Sequence, residues 1–307
     1  MNEQYLKKIE QSMKNKILLP TIVHALRNRW PLWWIRNKEL ISLQLEDRAY
    51  RKLKKKYKYV IDRATENYFL EGKSSKIVWV CWLQGMDNAP LLVRRCYESL
   101  VSNISDYDIK VITEKNMFNY IEIPSYITDK WRRGIISSAH FSDVIRTNLL
   151  VKYGGIWVDS TVLCTSNNLP EYITDAPMFV YRTIMRGVNT VSASNWLISS
   201  QANNPILILM KDLLYEYWKN ENVVEHYYLF HLFFTMAIEK YHDIWDNIPR
   251  YNNINPHILS GELNSKFSQD RYEEIKHMSA FHKLNYKLNY IDKEDTFYNY
   301  VIVKGLF

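Results

Sequence analysis

Ser142–Asp143–Val144–Ile145–Arg146, followed after six residues by Tyr153–Gly154–Gly155–Ile156–Trp157–Val158–Asp159–Ser160–Thr161, is the stretch that decides the fold. It reads as a helix closed by a double glycine, then a short apolar strand ending in a carboxylate. Residues three, four and seven apart share one side of a helix, so Asp143, Arg146 and Leu150 fall on one face. Gly154 and Gly155 supply the left-handed conformations that close helices. Ile156 to Val158 has the character of a buried strand, and Asp159 stands where that strand meets its loop. In open α/β sheets ligands bind in the crevice outside the carboxyl ends of the strands. An acid there, beside an Asp/Arg pair from the preceding helix, is suited to a metal-bound nucleotide.

The pattern repeats outward from this stretch. Ile77 to Trp82 reads as a strand, Pro90 opens a helix running to about Val101, and Ile109 to Thr113 forms a second strand. Strand, helix and strand with short links predict a parallel, right-handed unit. Met178 to Tyr181 and Trp196 to Ser199 are further strand candidates, and Ile206 to Trp218 and Tyr227 to Tyr241 read as amphipathic helices. Beyond Pro249 the periodicity weakens. Residues 1–75 read as an appended helical extension and 76–307 as the main α/β domain.

Composition narrows the function classes. With 307 residues, 47% hydrophobic and 24% charged, the chain can bury a sizeable core. Eight glycines include no Gly-x-Gly-x-x-Gly and no Walker-type loop, so a diphosphate needs side chains or a metal. The missing glycine fingerprint also argues against a nicotinamide oxidoreductase. Cys81, Cys96 and Cys164 suit neither zinc nor a redox pair and predict free thiols in a reducing compartment. Met1 to Glu10 is too polar for a signal peptide, and no run of 18 uncharged apolar residues exists, so a cytoplasmic protein is expected.

Charge is uneven. Residues 1–76 hold 12 Lys and 6 Arg against 8 acidic residues, a net +10, whereas the whole chain carries +7. The main domain is therefore slightly acidic, which argues against nucleic acid as a partner. In the extension, Ile22, Val23, Leu26, Trp30, Trp33 and Trp34 mix with Arg27, Arg29 and Arg36, and Lys52 to Lys58 adds a basic run. Indole rings among cations suit peripheral membrane contact through residues 1–60, at the inner face of the cell membrane. A helical arm packed on the main domain fits the same residues.

Ser-Asp-x-x-Arg, Tyr-Gly-Gly-x-Trp and Asp-x-Thr, in that order, resemble the bacterial capsular polysaccharide synthesis glycosyltransferases, relatives of the Asp-x-Asp sugar transferases. Trp79–Val80–Cys81–Trp82–Leu83–Gln84–Gly85 with Asn88–Ala89–Pro90 is similar to the family's first strand and loop. Asn195–Trp196, Tyr227–Tyr228–Leu229–Phe230–His231 and His282–Lys283–Leu284–Asn285–Tyr286 are similar to its later blocks. The resemblance spans roughly residues 76 to 290.

It implies a GT-A-like, Rossmann-related fold and transfer of a sugar, with retention, from a nucleoside-diphosphate donor such as a UDP-sugar. The acceptor is a hydroxyl of a growing surface glycan or a lipid-linked oligosaccharide. Asp143, Arg146 and Asp159 are the implied catalytic residues. Trp82, Gln84, Asp143, Arg146, Gly155, Asp159 and Lys283 are the implied nucleotide-sugar residues, with Trp82 stacking on the base and Lys283 reaching the diphosphate. Asn195, Trp196 and His231 face donor sugar or acceptor. Mn2+ or Mg2+ is the implied cofactor, on Asp159, Thr161 and His282. Asp159–Ser160–Thr161 departs from Asp-x-Asp, since a threonine hydroxyl is a neutral and weaker ligand than a carboxylate. That departure keeps a second reading open, a non-catalytic scaffold of a glycan assembly complex. Taken alone, Asp143 and Arg146 also fit an i,i+3 intrahelical ion pair, worth about 0.2–0.5 kcal/mol on an isolated helix.

Overall fold

The computed structural model describes residues 38–68, 70, 75–183, 190–291 and 293–307. The elements that position the site are α1 (Lys38–Lys56), α2 (Lys58–Asp62), β1 (Ile77–Cys81), α3 (Leu91–Asn103), β2 (Asp108–Ile112), α4 (Ser138–Tyr153), β3 (Gly155–Val158), β4 (Val162–Cys164), β5 (Met178–Arg182), β6 (Ala193–Ser200), α5 (Pro205–Asn220), α6 (Leu229–Lys240) and β7 (Phe281–Lys283). Five strands form one mixed sheet in the order β2-β1-β3-β6-β5. β1 pairs in parallel with both β2 and β3, as the strand, helix, strand spacing predicts. β6 runs antiparallel to both β3 and β5, a reversal that periodicity does not reveal.

Alternation along the strands assigns the sheet's two faces. Trp79, Trp157, Met178, Val180 and Ile198 pack into the larger core with α4, α5 and α6. Val78, Val80, Ile156, Val158, Phe179 and Leu197 supply the core on the opposite face. Eleven of the sixteen residues of α4 are buried, so this helix runs through the interior and carries Asp143, Arg146, Thr147 and Asn148 with it. Ser137 caps its start by accepting from the His140 amide, and Gly154 closes it at φ +65°.

Gly155, expected beside the nucleotide sugar, lies away from the cavity described below. It begins β3 at φ +94°, and a Cβ there would stand 2.5 Å from the Ile77 carbonyl oxygen. This glycine permits the close approach of β3 to β1, a backbone role rather than a ligand contact.

In the described part of the extension, Leu53, Tyr57 and Val60 are buried in the larger core. The Tyr57 ring meets Phe233 edge-on at 5.8 Å. Lys52 pairs with Glu225, Lys56 with Glu221 and Lys54 with Glu239. Much of the basic run is thus turned onto carboxylates of the main domain, as a helical arm packed on that domain requires. Ile22, Val23, Leu26, Arg27, Arg29, Trp30, Trp33, Trp34 and Arg36 lie outside the described residues. No described helix is long and apolar enough to cross a membrane.

Candidate active site

A cavity of about 980 Å³ opens beyond the carboxyl ends of β1 and β3, where the sheet topology predicts a ligand. Trp82, Gln84, Asp143, Arg146, Asp159, Thr161, Asn195, Trp196, His231 and Lys283 all line it. These residues come from six separate parts of the chain, and the fold converges them on one space.

Arg146 is the centre of the arrangement. One of its terminal nitrogens stands 3.3 Å from Asp143 Oδ1 and 3.3 Å from Asp159 Oδ1. The other donates to the Asn195 carbonyl at 2.7 Å. The guanidinium lies between the rings of Trp157 and Phe230, at 4.9 and 5.4 Å from their centroids. The i,i+3 ion pair therefore exists, but it extends across the fold to a second carboxylate. Asn195 Nδ2 donates to Asp143 Oδ1 at 3.2 Å, and His140 Nδ1 stands 3.5 Å from Asp143 Oδ2.

Asp159 accepts from Trp157 Nε1 at 2.9 Å and from Lys283 Nζ at 2.9 Å. Burial pushes its carboxyl up, but Lys283 and Arg146 outweigh burial and hold it below the usual carboxylate range. Its backbone amide donates to the Trp196 carbonyl, which ties the strand-end turn to β6. Lys283 also donates to Thr161 Oγ1 at 2.6 Å. This contact follows from register: β4 pairs antiparallel with β7, with Val162 opposite Lys283.

The same register removes His282 from the site. Neighbouring strand residues point to opposite faces, so the pairing that brings Lys283 to Asp159 turns His282 away. Its Nε2 meets Thr165 Oγ1 at 2.9 Å, the residue is fully buried, and burial pushes its pKa down to about 4. The expectation that His282 joins Asp159 and Thr161 on a metal is corrected on this ground.

With Lys283 Nζ between them, the remaining donors do not fit Mn2+ or Mg2+. One carboxylate and one hydroxyl are left, and the Lys283 ammonium bridges both. At about 4 Å, a divalent ion and an ammonium repel by about 8 kcal/mol at an effective dielectric constant of 20. No group of three or more His, Cys, Asp or Glu suited to a metal occurs among the described residues. Among the described residues, the charged groups lining the cavity are Arg146, Lys283 and Lys287 against Asp143 and Asp159, a cationic excess before any ion is added.

Aromatic groups form the walls. Trp82 meets Tyr286 edge-to-face at 5.5 Å, and Trp196 stacks on Tyr181 at 4.8 Å while donating to Asn253 Oδ1. Burial keeps His231 neutral, with a pKa pushed down to about 4, and its Nδ1 has no partner among the described residues. Sequence reasoning missed His140, Asn253, His257, Tyr286 and Lys287, which also line the cavity. Tyr286 lay within a quoted block and His140 three residues before Asp143. Asn253 and His257 carried no signal, since they reach the site from the aperiodic region after Pro249.

The solved structure titled "PaToxG Glycosyltransferase" is similar to the chain at 17% sequence identity and a TM-score of 0.39, with 68% of this chain and 83% of that chain covered. None of the curated proteins matches. The family described as capsular polysaccharide synthesis protein matches residues 29–301, a span that takes in every described residue of the cavity and all of α1 and α2 with them. The chain belongs to the capsular polysaccharide synthesis protein family.

Proposed function

We propose that the protein is a glycosyltransferase that moves a sugar from a nucleoside diphosphate, a UDP-sugar, to a hydroxyl of a growing capsular or other surface polysaccharide. The observation that carries this reading is the convergence of Asp143, Arg146, Asp159 and Lys283 on one aromatic-walled cavity beyond parallel strands. Membership of a capsular polysaccharide synthesis family supports the glycan acceptor.

The cavity's groups divide naturally among the parts of such a donor. Trp82 and Tyr286 offer ring surface to the base, and Gln84 is exposed beside them for hydrogen bonding. Lys283 and Lys287 lie on the side suited to phosphates. Asp143 accepts sugar hydroxyls, and the uncharged His231 is placed to accept another. In the reaction, the bond between the anomeric carbon and the β-phosphate oxygen breaks, and its electron pair stays on the diphosphate. The acceptor oxygen bonds to the anomeric carbon and its proton passes to the diphosphate or to water. Attack by the acceptor oxygen on the face from which the diphosphate departs, with the proton passing to that diphosphate, gives retention.

The test is a panel of nucleotide sugars incubated with the protein, with nucleoside diphosphate release followed by chromatography and water serving as acceptor. One UDP-sugar should be consumed, and Asp159→Ala should slow that consumption by about 100-fold or more, since it removes the partly buried charge that holds Arg146 and Lys283 in the donor site. Indifference to every nucleotide sugar, or equal turnover by Asp159→Ala, would refute the assignment.

A further inference from the structure

We propose that the Lys283 ammonium takes the place of a divalent cation on the donor's diphosphate, so that donor binding needs no metal; this rests on the nucleoside-diphosphate reading above. The position between a strand-end carboxylate and the hydroxyl two residues on is where a bridging cation would sit. In this chain it is taken by Lys283 Nζ, 2.9 Å from Asp159 Oδ2 and 2.6 Å from Thr161 Oγ1. The placement is built into the fold: Val162 and Lys283 are register partners, and the short turn from Asp159 to Val162 is closed by the Val162 amide donating to the Asp159 carbonyl at 3.0 Å.

An ammonium has three donors. Two are used by Asp159 and Thr161, and the third is left for a ligand, since Lys283 lines the cavity. Both oxygens of Asp159 are already engaged, Oδ1 by Arg146 and Trp157 and Oδ2 by Lys283. The carboxylate therefore holds the lysine in place rather than offering itself to a metal. Replacement of a second acid by Thr161 agrees with this charge balance: one carboxylate neutralises one ammonium, whereas two would call for a divalent ion. Lys287, at the same end of the cavity beside Tyr286, supplies a second positive charge for the diphosphate.

The experiment is calorimetric titration of UDP into the full chain, once in EDTA and once in excess Mn2+, repeated with Lys283→Gln and Lys283→Arg. The expected result is a UDP dissociation constant that agrees within about threefold between EDTA and Mn2+, whereas Lys283→Gln weakens binding in EDTA by about tenfold or more, the scale of one hydrogen bond to a charged group. Lys283→Arg restores part of that loss because it keeps the charge. The comparison of EDTA with Mn2+ on the unaltered chain needs no variant to fold. Binding seen only with Mn2+, or tightened about tenfold by it, overturns the inference and leaves the donor assignment standing, as does Lys283→Gln binding UDP as the unaltered chain does. Failure of UDP, GDP, CDP and ADP to bind in either buffer overturns both.

Discussion

Replacing Arg146 by methionine should destabilise the protein by about 3–5 kcal/mol at pH 7, the cost of leaving a buried ion pair without one partner. Methionine keeps much of the packing between Trp157 and Phe230 and removes only the charge and its hydrogen bonds. Each 3.3 Å contact, to Asp143 and to Asp159, is worth about 5 kcal/mol of Coulomb attraction at an effective dielectric constant of 20, most of it offset by desolvation. In the variant Asp159 keeps Lys283, whereas Asp143 keeps only Asn195 and His140, so Asp143 bears most of the loss. The pH dependence has a definite sign. In the unaltered protein the Asp159 pKa is lowered, so its contribution is full above the ordinary carboxylate range and fades as pH falls through its depressed value. In the variant Asp159 loses one of the two cations that hold its carboxyl below the usual range, so the difference from the unaltered protein narrows as the pH falls through the carboxylate range. Urea unfolding followed by far-ultraviolet circular dichroism at pH 7 and pH 3 should therefore show the larger difference at pH 7. Adding Asp143→Asn to Arg146→Met should recover about 1–2 kcal/mol, a non-additive result expected of groups in contact. A loss below about 1 kcal/mol at pH 7, unchanged by pH and additive in the double variant, would refute the claim that Arg146 is what makes the buried Asp143 and the partly buried Asp159 tolerable side by side.

Three further outcomes can be checked. His231 and His282 both have pKa values pushed down to about 4 by burial, so their contribution is full above the ordinary histidine value and is lost as pH falls from about 6.5 towards 4. Stability at pH 5 should fall by about 2 kcal/mol for each histidine relative to pH 8, and His282→Gln should abolish its share of that slope in urea titrations. Tyr57→Ala should cost about 3–5 kcal/mol, because this residue of the extension is buried against Phe233 and Tyr217; an unchanged unfolding midpoint would show that α1 and α2 are dispensable to the core. We further propose that the Trp-rich basic front contacts anionic lipid, so exchanging Arg27, Arg29 and Arg36 for glutamate should reduce co-sedimentation with phosphatidylglycerol vesicles by about tenfold or more, at about 1 kcal/mol per charge. Equal sedimentation would remove that proposal.

Sequence reading went furthest where structure is local. The helix closed by Gly154–Gly155 and the buried strand into Asp159 follow from a 3.6-residue period, two glycines and a run of apolar residues. Apart from Gly155 and His282, the candidate residues do line one cavity, because strand ends in an α/β sheet face the same crevice. The reading failed where contact depends on register. β4 and β7 are three residues long, too short to show any period, so neither was recognised as a strand. Their pairing decides that Lys283 meets Asp159 while His282 turns into the core. The lysine run of α1 likewise looked like a free cationic surface because its partners Glu221, Glu225 and Glu239 lie more than 160 positions away.

What the sequence determined by itself was the set of elements and the chemical inventory: parallel β-α-β units, a strand-end acid and an Asp/Arg pair one helix earlier. Tertiary structure alone decided how those charges are spent. It put Arg146 between two carboxylates and placed an ammonium where a metal was expected, because cross-strand register and the path of a chain through space set distances that linear spacing does not encode.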